Sequence, residues 1–133
     1  MTGASLRVGV DLVQVSQVAD SIARFGDRYL RRVYTEGELA YATAAGDGAP
    51  RHLAARFAAK EAAVKALDLA DAPLDWRQIE VLRESSGRCA LALHGAVRAA
   101  ADRLRAGPLA VSLSHEGDYA TAVVITTLHE KNA

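Results

Sequence analysis

An alanine-rich segment between Pro50 and Leu67 constrains the fold of this chain more than any other feature. Alanine and straight-chain residues dominate it and have high helix propensity, and proline suits the first turn of a helix. At about 100° per residue, the large apolar side chains share one stripe of this helix. They are Leu53, Phe57, Val64 and Leu67. We therefore predict a long helix whose apolar stripe is buried.

Three charged residues of this helix lie on or beside the stripe. Glu61 lies at its edge, and Lys65 follows one turn later on the same flank. Taken alone, such an i,i+4 pair is most often a solvated ion pair worth a few tenths of a kcal/mol. Lys60 falls inside the stripe, where an ammonium group needs a partner. A subunit interface or a ligand phosphate would supply that partner, and snorkelling to water is the alternative.

The N-terminal part of the chain predicts a strand. Apolar residues alternate with other residues from Leu6 to Leu12, and this period of two gives a strand with one apolar face. Asp11 lies on the other face, near the end of the strand. A carboxylate in this position is usually an N-cap for the turn that follows, and that alternative stays open.

Helical spacing replaces the alternation from Val15 onwards. Four arginines follow at helical steps and predict one basic helix face: Arg24, Arg28, Arg31 and Arg32. Taken alone, this face is a solvated surface. Thr35 and Glu38 form a capping-box pattern, which predicts the start of a second helix before the alanine-rich one.

The second half of the chain predicts two hairpins and one helix. Glu84–Gly87 and His115–Asp118 have the composition of hairpin turns. The segments predicted as strands are 78–83, 88–93, 109–114 and 119–127, and the helix is 96–106. With no internal repeat or linker, we expect residues 1–133 to form a single α+β domain. Its mainly antiparallel sheet carries the long central helix packed on it.

Composition excludes several classes of protein. The 16 lysines and arginines balance 16 acidic residues, so the formal net charge is zero, which argues against a nucleic-acid-binding protein. No apolar run approaches the length of a membrane span, and the N-terminus lacks the layout of a signal peptide. A single cysteine, Cys89, fits a reducing compartment, and we expect a cytoplasmic protein.

Four segments together resemble one family. They are Val8–Val13, Arg56–Ala62 with Lys65, Trp76–Val81 and Val111–His115. In their order and spacing they are similar to the small holo-[acyl-carrier-protein] synthases, the single-domain 4'-phosphopantetheinyl transferases. The resemblance extends from about Leu6 to Ile125. Its most specific element is the run Arg-Phe-x-x-Lys-Glu-x-x-x-Lys that begins at Arg56.

The resemblance implies a reaction and roles for the charged residues. The family moves the phosphopantetheine arm of coenzyme A onto a serine of an apo acyl carrier protein and releases adenosine 3',5'-bisphosphate. Asp11 and Glu61 are accordingly expected to bind Mg²⁺, and Mn²⁺ suits the same oxygen ligands. Glu61, or a metal-bound water beside it, is the expected general base. Lys65 is expected to neutralise charge on the phosphates or on the leaving group.

The resemblance also implies binding surfaces and an assembly. Contacts with coenzyme A are expected from Arg56, Lys65, Ser114 and His115. The acidic carrier protein is expected to dock on the basic helix face of Arg24, Arg28, Arg31 and Arg32. The family forms homotrimers with active sites at subunit interfaces. Its usual Gly-Thr-Gly after the catalytic lysine is absent here, and Asp68 and Ala70 lack the backbone freedom of glycine.

Two other functions remain open at this stage. A non-catalytic module of the same fold could bind coenzyme A or the carrier protein without transferring the arm, which the missing glycines would favour. A metal-dependent phosphodiesterase built on the two carboxylates is the third reading, although paired metals generally need more acidic ligands than two. The residues leave the carrier protein, the pathway, the ion and the acceptance of acyl-coenzyme A undetermined.

Overall fold

The computed structural model of the chain describes residues 3–130 and contains five strands and five α-helices. In chain order they are β1 (Ala4–Gln14), α1 (Val15–Phe25), α2 (Asp27–Val33), α3 (Glu36–Ala44), α4 (Ala49–Ala66), β2 (Ile79–Arg83), β3 (Cys89–Leu93), α5 (Gly95–Arg103), β4 (Ala110–Glu116) and β5 (Tyr119–His129). Two short 3₁₀ turns, Gly46–Gly48 and Trp76–Gln78, precede α4 and β2. Among these residues, no helix is long and apolar enough to span a bilayer.

The strands form two antiparallel sheets. The larger has the order β1-β5-β4, and the smaller consists of β2 and β3. The expected α+β class, with its antiparallel sheet and long helix, is therefore confirmed. The second hairpin differs in detail, because β4 continues through His115 and Glu116 and leaves only Gly117 and Asp118 in the turn. His115 thus belongs to a strand rather than to a turn.

Helix α4 packs across β1 and β5 and forms the centre of the core. Leu53 and Val64 are buried as predicted, together with most of the alanines of the helix. Alanine lets the helix approach the sheet closely, and the closest point is Gly9 of β1. A Cβ atom at Gly9 would lie 1.9 Å from the carbonyl oxygen of Ala62, so only glycine fits there.

The alternating face of β1 is exposed rather than buried under α4. The residues that face the helix are the ones between the alternating apolar residues, and they include Gly9, which is buried. The apolar residues Leu6, Val8, Val10 and Leu12 are 71%, 61%, 55% and 64% exposed. A period of two tells which residues share a face, but it does not tell which face the helix covers.

The four arginines do not lie on one helix, which corrects the prediction of a single basic helix face. Gly26 adopts a positive φ of 54° and separates α1 from α2. Arg24 therefore lies in the last turn of α1, while the other three belong to α2: Arg28, Arg31 and Arg32. The steps of three and four continued through Gly26, so the spacing alone did not reveal the break.

Lys60 is completely buried and is held within the chain, so the expected partners at an interface, on a ligand phosphate or in water are wrong. Its Nζ lies 2.8 Å from Glu38 Oε1, and both side chains have no exposed surface. It also donates to the backbone oxygens of Trp76 and Ile79. Burial lowers the pKa of Lys60 from its ordinary value, and the Glu38 carboxylate opposes that effect.

Glu38 connects three elements through its carboxylate. The capping box with Thr35 is present as predicted, with Thr35 N–H donating to Glu38 Oε1 at 2.8 Å. Glu38 Oε2 accepts a hydrogen bond from the N–H of Val81 in β2 at 2.8 Å. Together with the ion pair to Lys60, these contacts join α3, α4 and β2.

We expect Lys60→Met to lower the free energy of unfolding by about 3–5 kcal/mol, because it leaves the buried Glu38 carboxylate without its counter-charge. Lys65→Met is the control on the same helix. Its ammonium is half-exposed and pairs with Asp11, so its loss should cost less than about 1 kcal/mol. Urea unfolding of both variants measures the difference, and equal losses of stability would contradict the assigned role of the buried pair.

Candidate active site

A first group of charged side chains lies where α4 crosses β1. Asp11 faces the helix from β1, and Glu61 and Lys65 lie on α4. The Lys65 ammonium is 3.1 Å from Asp11 Oδ1 and donates to the backbone oxygen of Val10 at 3.0 Å. The structure thus brings together the three residues that were expected to bind metal or take part in catalysis. The close contact at Gly9 makes this possible, because it holds the helix against the strand.

Asp11 affects the protonation of the neighbouring Glu61 carboxylate. Burial raises the pKa of Glu61 above its ordinary value, the neighbouring Asp11 raises it further, and Lys65 lowers it. A carboxylate with a raised pKa is a better proton acceptor near neutral pH. Two neighbouring carboxylates also favour the binding of a cation, because a positive charge relieves their mutual repulsion.

The donor set of this group fits a hard divalent cation. Asp11 and Glu61 offer oxygen ligands, and Mg²⁺ characteristically takes one or two carboxylates and completes its coordination with waters and substrate phosphates. Within residues 3–130 there is no group of three or more histidine, cysteine, aspartate or glutamate side chains that could hold a metal. In this group, Asp11 and Glu61 are therefore the two carboxylates that could hold a cation.

A second group of charged side chains lines a cleft of about 460 Å³. The cleft lies between the first half of α4, the β2–β3 hairpin and β4. Its polar and charged lining residues are His52, Arg56, Arg83, Arg88, Ser112, Ser114 and His115. Three arginines and no carboxylate line it, so the cleft is suited to a ligand with several negative charges.

Arg56 is the most unusual residue of the cleft because the whole residue is only 2% exposed. Its Nη1 donates to the backbone oxygen of His52, but its Nε has no hydrogen-bond partner in the described part of the chain. An arginine is rarely buried without a paired anion. The orphaned donor therefore points to a ligand anion in this cleft.

The positive charge of the cleft also affects His52. Burial lowers the pKa of His52, and Arg56 and His115 are among the neighbouring groups that lower it further. Two of the expected ligand-binding residues, Ser114 and His115, line the cleft with Arg56. Lys65, the fourth, does not line it and belongs to the group at Asp11.

Three cleft residues were missed by reasoning from the sequence, although each had a signal. His52 precedes Arg56 by four residues on α4, the spacing that places two side chains on one helix face. Arg83 and Arg88 flank the predicted turn of the first hairpin, in which Arg83 pairs with Cys89. The hairpin therefore brings both arginines to the same end of β2 and β3.

The two groups lie on the same side of the larger sheet. Asp11 of β1 pairs with Ala122 of β5, His115 of β4 pairs with Ala120, and both alanines are buried against α4. With β5 between them, the outer strands are about 10 Å apart. Arg56 and Glu61 are separated by five residues of α4, about 7.5 Å along its axis. Five residues also turn the helix by about 140°, so the side chains of Arg56 and Glu61 leave α4 in different directions.

The four expected docking arginines are exposed and lie close together in sequence around Gly26. Arg24 stacks over the ring of Phe25 at 5.8 Å, and Phe25 is itself exposed. Arg31 is 3.8 Å from Glu36, and both side chains are well exposed. The surface formed by α1 and α2 is thus positively charged, although the chain as a whole is neutral.

The departure from Gly-Thr-Gly after Lys65 has a local structural outcome. Asp68 adopts a φ of 57°, in the left-handed region that favours glycine. The expectation that Asp68 could not replace the conformational freedom of glycine is therefore wrong. Aspartate tolerates this conformation better than most residues, so the backbone after α4 makes its turn without the glycine.

Comparisons with known proteins match most of this chain to one family. A family model described as the 4'-phosphopantetheinyl transferase superfamily matches residues 7–124. A holo-[acyl-carrier-protein] synthase of Koribacter versatilis is 42% identical over 121 residues, which cover 90% of this chain and 96% of the relative. The synthase of Moorella thermoacetica is 44% identical over 125 residues, covering 90% of this chain and 92% of the relative.

Solved structures show the same relationship in three dimensions. The ACPS–CoA complex of Chronobacterium ammoniagenes is similar to this chain, with a TM-score of 0.81 and 35% identity. The match covers 93% of this chain and 98% of that structure. The matched region, residues 7–124, contains Asp11, Glu61, Lys65 and His115. The chain therefore belongs to the 4'-phosphopantetheinyl transferase superfamily.

Proposed function

We propose that this protein transfers the 4'-phosphopantetheine arm of coenzyme A to a serine of an apo acyl carrier protein. The observation that carries the proposal is the position of two charged groups on one helix. Asp11, Glu61 and Lys65 offer carboxylates and an ammonium at one end, and the basic cleft around Arg56 lies at the other. A substrate that carries both a diphosphate and a separate nucleoside phosphate fits these two kinds of group.

Coenzyme A is the proposed ligand of the cleft. Arg56, Ser114 and His115 would contact its phosphates, and the unpaired Nε of Arg56 supports an anionic ligand there. The complex with CoA formed by the similar Chronobacterium ammoniagenes protein supports the same assignment. Lys65 would contact the phosphate nearest the carboxylates, because its ammonium already lies beside Asp11.

Asp11 and Glu61 would hold Mg²⁺, or Mn²⁺, whose ligand preferences are the same. Bound there, the ion would neutralise charge on the diphosphate during transfer. The support for this assignment is chemical: Asp11 raises the pKa of the neighbouring Glu61, and a cation bound between the two carboxylates would relieve their repulsion.

The chemistry of the transfer follows from the positions of Glu61 and Lys65. The serine Oγ of the carrier protein attacks the phosphorus atom that bears the pantetheine arm, and its proton passes to Glu61 or to a water beside it. The bond from that phosphorus to adenosine 3',5'-bisphosphate breaks. Lys65 offsets the negative charge that develops on the departing phosphate oxygen. Positioning and charge neutralisation therefore account for the catalysis.

We expect wild-type protein, coenzyme A and Mg²⁺ to add the mass of one phosphopantetheine group to an apo carrier protein. Glu61→Gln removes both a metal ligand and the base, so transfer should slow by about 100-fold or more. Asp102→Asn, which neutralises an exposed carboxylate on α5, is the control and should transfer normally. Mass spectrometry of the intact carrier protein measures each rate.

The same assay separates the alternatives. A non-catalytic module would bind coenzyme A before and after Glu61→Gln and would transfer nothing in either form. A phosphodiesterase would release product from simple phosphodiesters in the absence of any carrier protein. No mass gain on several carrier proteins, with the wild-type protein folded, would refute the transferase.

A homotrimer is the proposed assembly, as the family resemblance implies. The exposed face of β1 supports contact between copies of this chain, because its apolar residues continue onto β5, where Val8 pairs with Ile125 and Val10 with Val123. Ile125 is also exposed, at 40%. A contiguous apolar surface of this kind is typical of a protein interface.

We expect Val8→Asp to convert the assembly to monomers, because the interface would then bury an unpaired carboxylate. Leu82→Asp, which alters an exposed apolar residue of the other sheet, should leave the assembly intact. Light scattering after size-exclusion chromatography measures the mass of each variant. A wild-type monomer, or a Val8→Asp trimer, would contradict the proposal.

The carrier protein is proposed to dock on the basic surface of α1 and α2. Acyl carrier proteins are acidic, and Arg24, Arg28, Arg31 and Arg32 present four exposed positive charges. Charges of this kind mainly raise the association rate and are weakened by salt. We propose that the reaction takes place in the cytoplasm, which agrees with the unpaired Cys89.

We expect Arg28→Glu combined with Arg31→Glu to raise the KM for the carrier protein by about tenfold while kcat stays unchanged, because reversed charges repel an acidic partner. The control reverses two exposed arginines beyond α2, Arg103→Glu and Arg105→Glu. Transfer rates measured across a salt series provide the second readout. If both pairs of substitutions have the same effect, the docking surface lies elsewhere.

A further inference from the structure

One aromatic ring beside the cleft contacts three of its basic residues. Tyr41 lies on α3, and its ring centroid is 4.2 Å from the Arg56 guanidinium carbon and 5.4 Å from that of Arg83. The ring of His52 meets it edge-on, at 5.2 Å between centroids and 87° between planes. These contacts join side chains from α4 and β2 to a single residue of a third element.

Tyr41 lies behind the basic residues that line the cleft. His52, Arg56 and Arg83 line the cleft, whereas Tyr41 is not one of its lining residues. A ligand in the cleft would therefore contact the three basic side chains, and the ring would act only through them. The glutamate one turn earlier on α3, Glu38, is bonded to Lys60 and to the N–H of Val81, which fixes α3 against α4 and β2.

The group that holds the Arg56 guanidinium affects how well this arginine can bind an anion. Buried arginines are usually held by a carboxylate, which orients the guanidinium but also neutralises it. Arg56 makes no ion pair with a carboxylate in residues 3–130 and is held by the Tyr41 ring and the backbone oxygen of His52. The negative face of an aromatic ring attracts the cation without cancelling its charge. The full charge remains available to a ligand.

We propose that Tyr41 is a positioning residue that holds Arg56 and Arg83 in place for the phosphate groups of coenzyme A. This inference rests on the proposed function, because it takes coenzyme A as the ligand of the cleft. It assigns to Tyr41 no contact with the substrate and no part in the transfer of the arm. Its effect is therefore expected on binding and not on the chemical step.

The first experiment replaces the ring. Tyr41→Leu should raise the KM for coenzyme A and the Kd for adenosine 3',5'-bisphosphate by about tenfold, because two cation–π contacts are lost. The kcat at saturating coenzyme A should stay within about twofold of wild type. Tyr41→Phe keeps the ring face and should behave as wild type. Isothermal titration with adenosine 3',5'-bisphosphate measures binding without any transfer step.

The second experiment uses the two hairpin arginines as a matched pair. Both Arg83 and Arg88 line the cleft, but only Arg83 contacts the Tyr41 ring. Combined with Tyr41→Leu, Arg83→Gln should cause less loss of affinity than the sum of the single losses, because both changes remove the same contact. Arg88→Gln combined with Tyr41→Leu should give the sum of the two single losses.

The outcomes distinguish this inference from the proposed function. If the wild-type protein neither binds adenosine 3',5'-bisphosphate nor transfers the arm, the proposed function fails. If the wild type does both, and a folded Tyr41→Leu binds equally well, the role of Tyr41 is overturned. A loss as large in Tyr41→Phe as in Tyr41→Leu also overturns it. Thermal unfolding checks folding, and Tyr41→Met replaces the leucine variant if that variant does not fold.

Discussion

The contact between Gly9 and Ala62 sets the distance between β1 and α4, and the site depends on that distance. With no side chain on Gly9, the backbone of the helix rests directly on the strand. Asp11 follows Gly9 by two residues on β1 and faces the helix. On α4, Glu61 directly precedes the contact residue Ala62, and Lys65 follows Glu61 by one turn. A larger side chain at position 9 would move the helix away and separate the carboxylates from each other. The glycine of the Gly-x-Asp pattern is thus a packing requirement.

A second constraint organises the other end of the site. The buried pair of Glu38 and Lys60 joins α3 to α4, and the bond from Glu38 to the N–H of Val81 joins α3 to β2. One turn after Glu38, Tyr41 meets the arginines of these same two elements, Arg56 and Arg83. Burial of an ion pair is costly unless its geometry is well defined. That requirement keeps the three elements in one arrangement, and the basic cleft follows from it.

The charge distribution explains how a neutral chain can recognise anions. Positive charge is concentrated in the cleft and on the surface of α1 and α2, while carboxylates are concentrated at the point where α4 crosses β1. A zero net charge excludes a uniformly basic protein, but it does not exclude local fields of either sign. Burial lowers the pKa of His52 in the cleft, and the positive charge of Arg56 lowers it further.

The amino-acid sequence by itself determined most of the elements and predicted part of the candidate site. Periodicity and capping predicted the course of α4, the capping box of Thr35 and Glu38, both hairpins and the α+β class, because these depend on neighbours along the chain. The resemblance supplied Asp11, Glu61 and Lys65, together with three of the residues that line the cleft: Arg56, Ser114 and His115. Local patterns therefore determined what is present.

Only the tertiary structure decided which surfaces meet. It exposed the apolar face of β1, gave Lys60 the buried partner Glu38, divided the arginines at Gly26 and brought Tyr41 to Arg56 and Arg83. A periodic pattern groups residues on one face, but the element that covers the face is distant in sequence. Contacts between distant segments depend on the packing of the whole chain, and no local pattern encodes them.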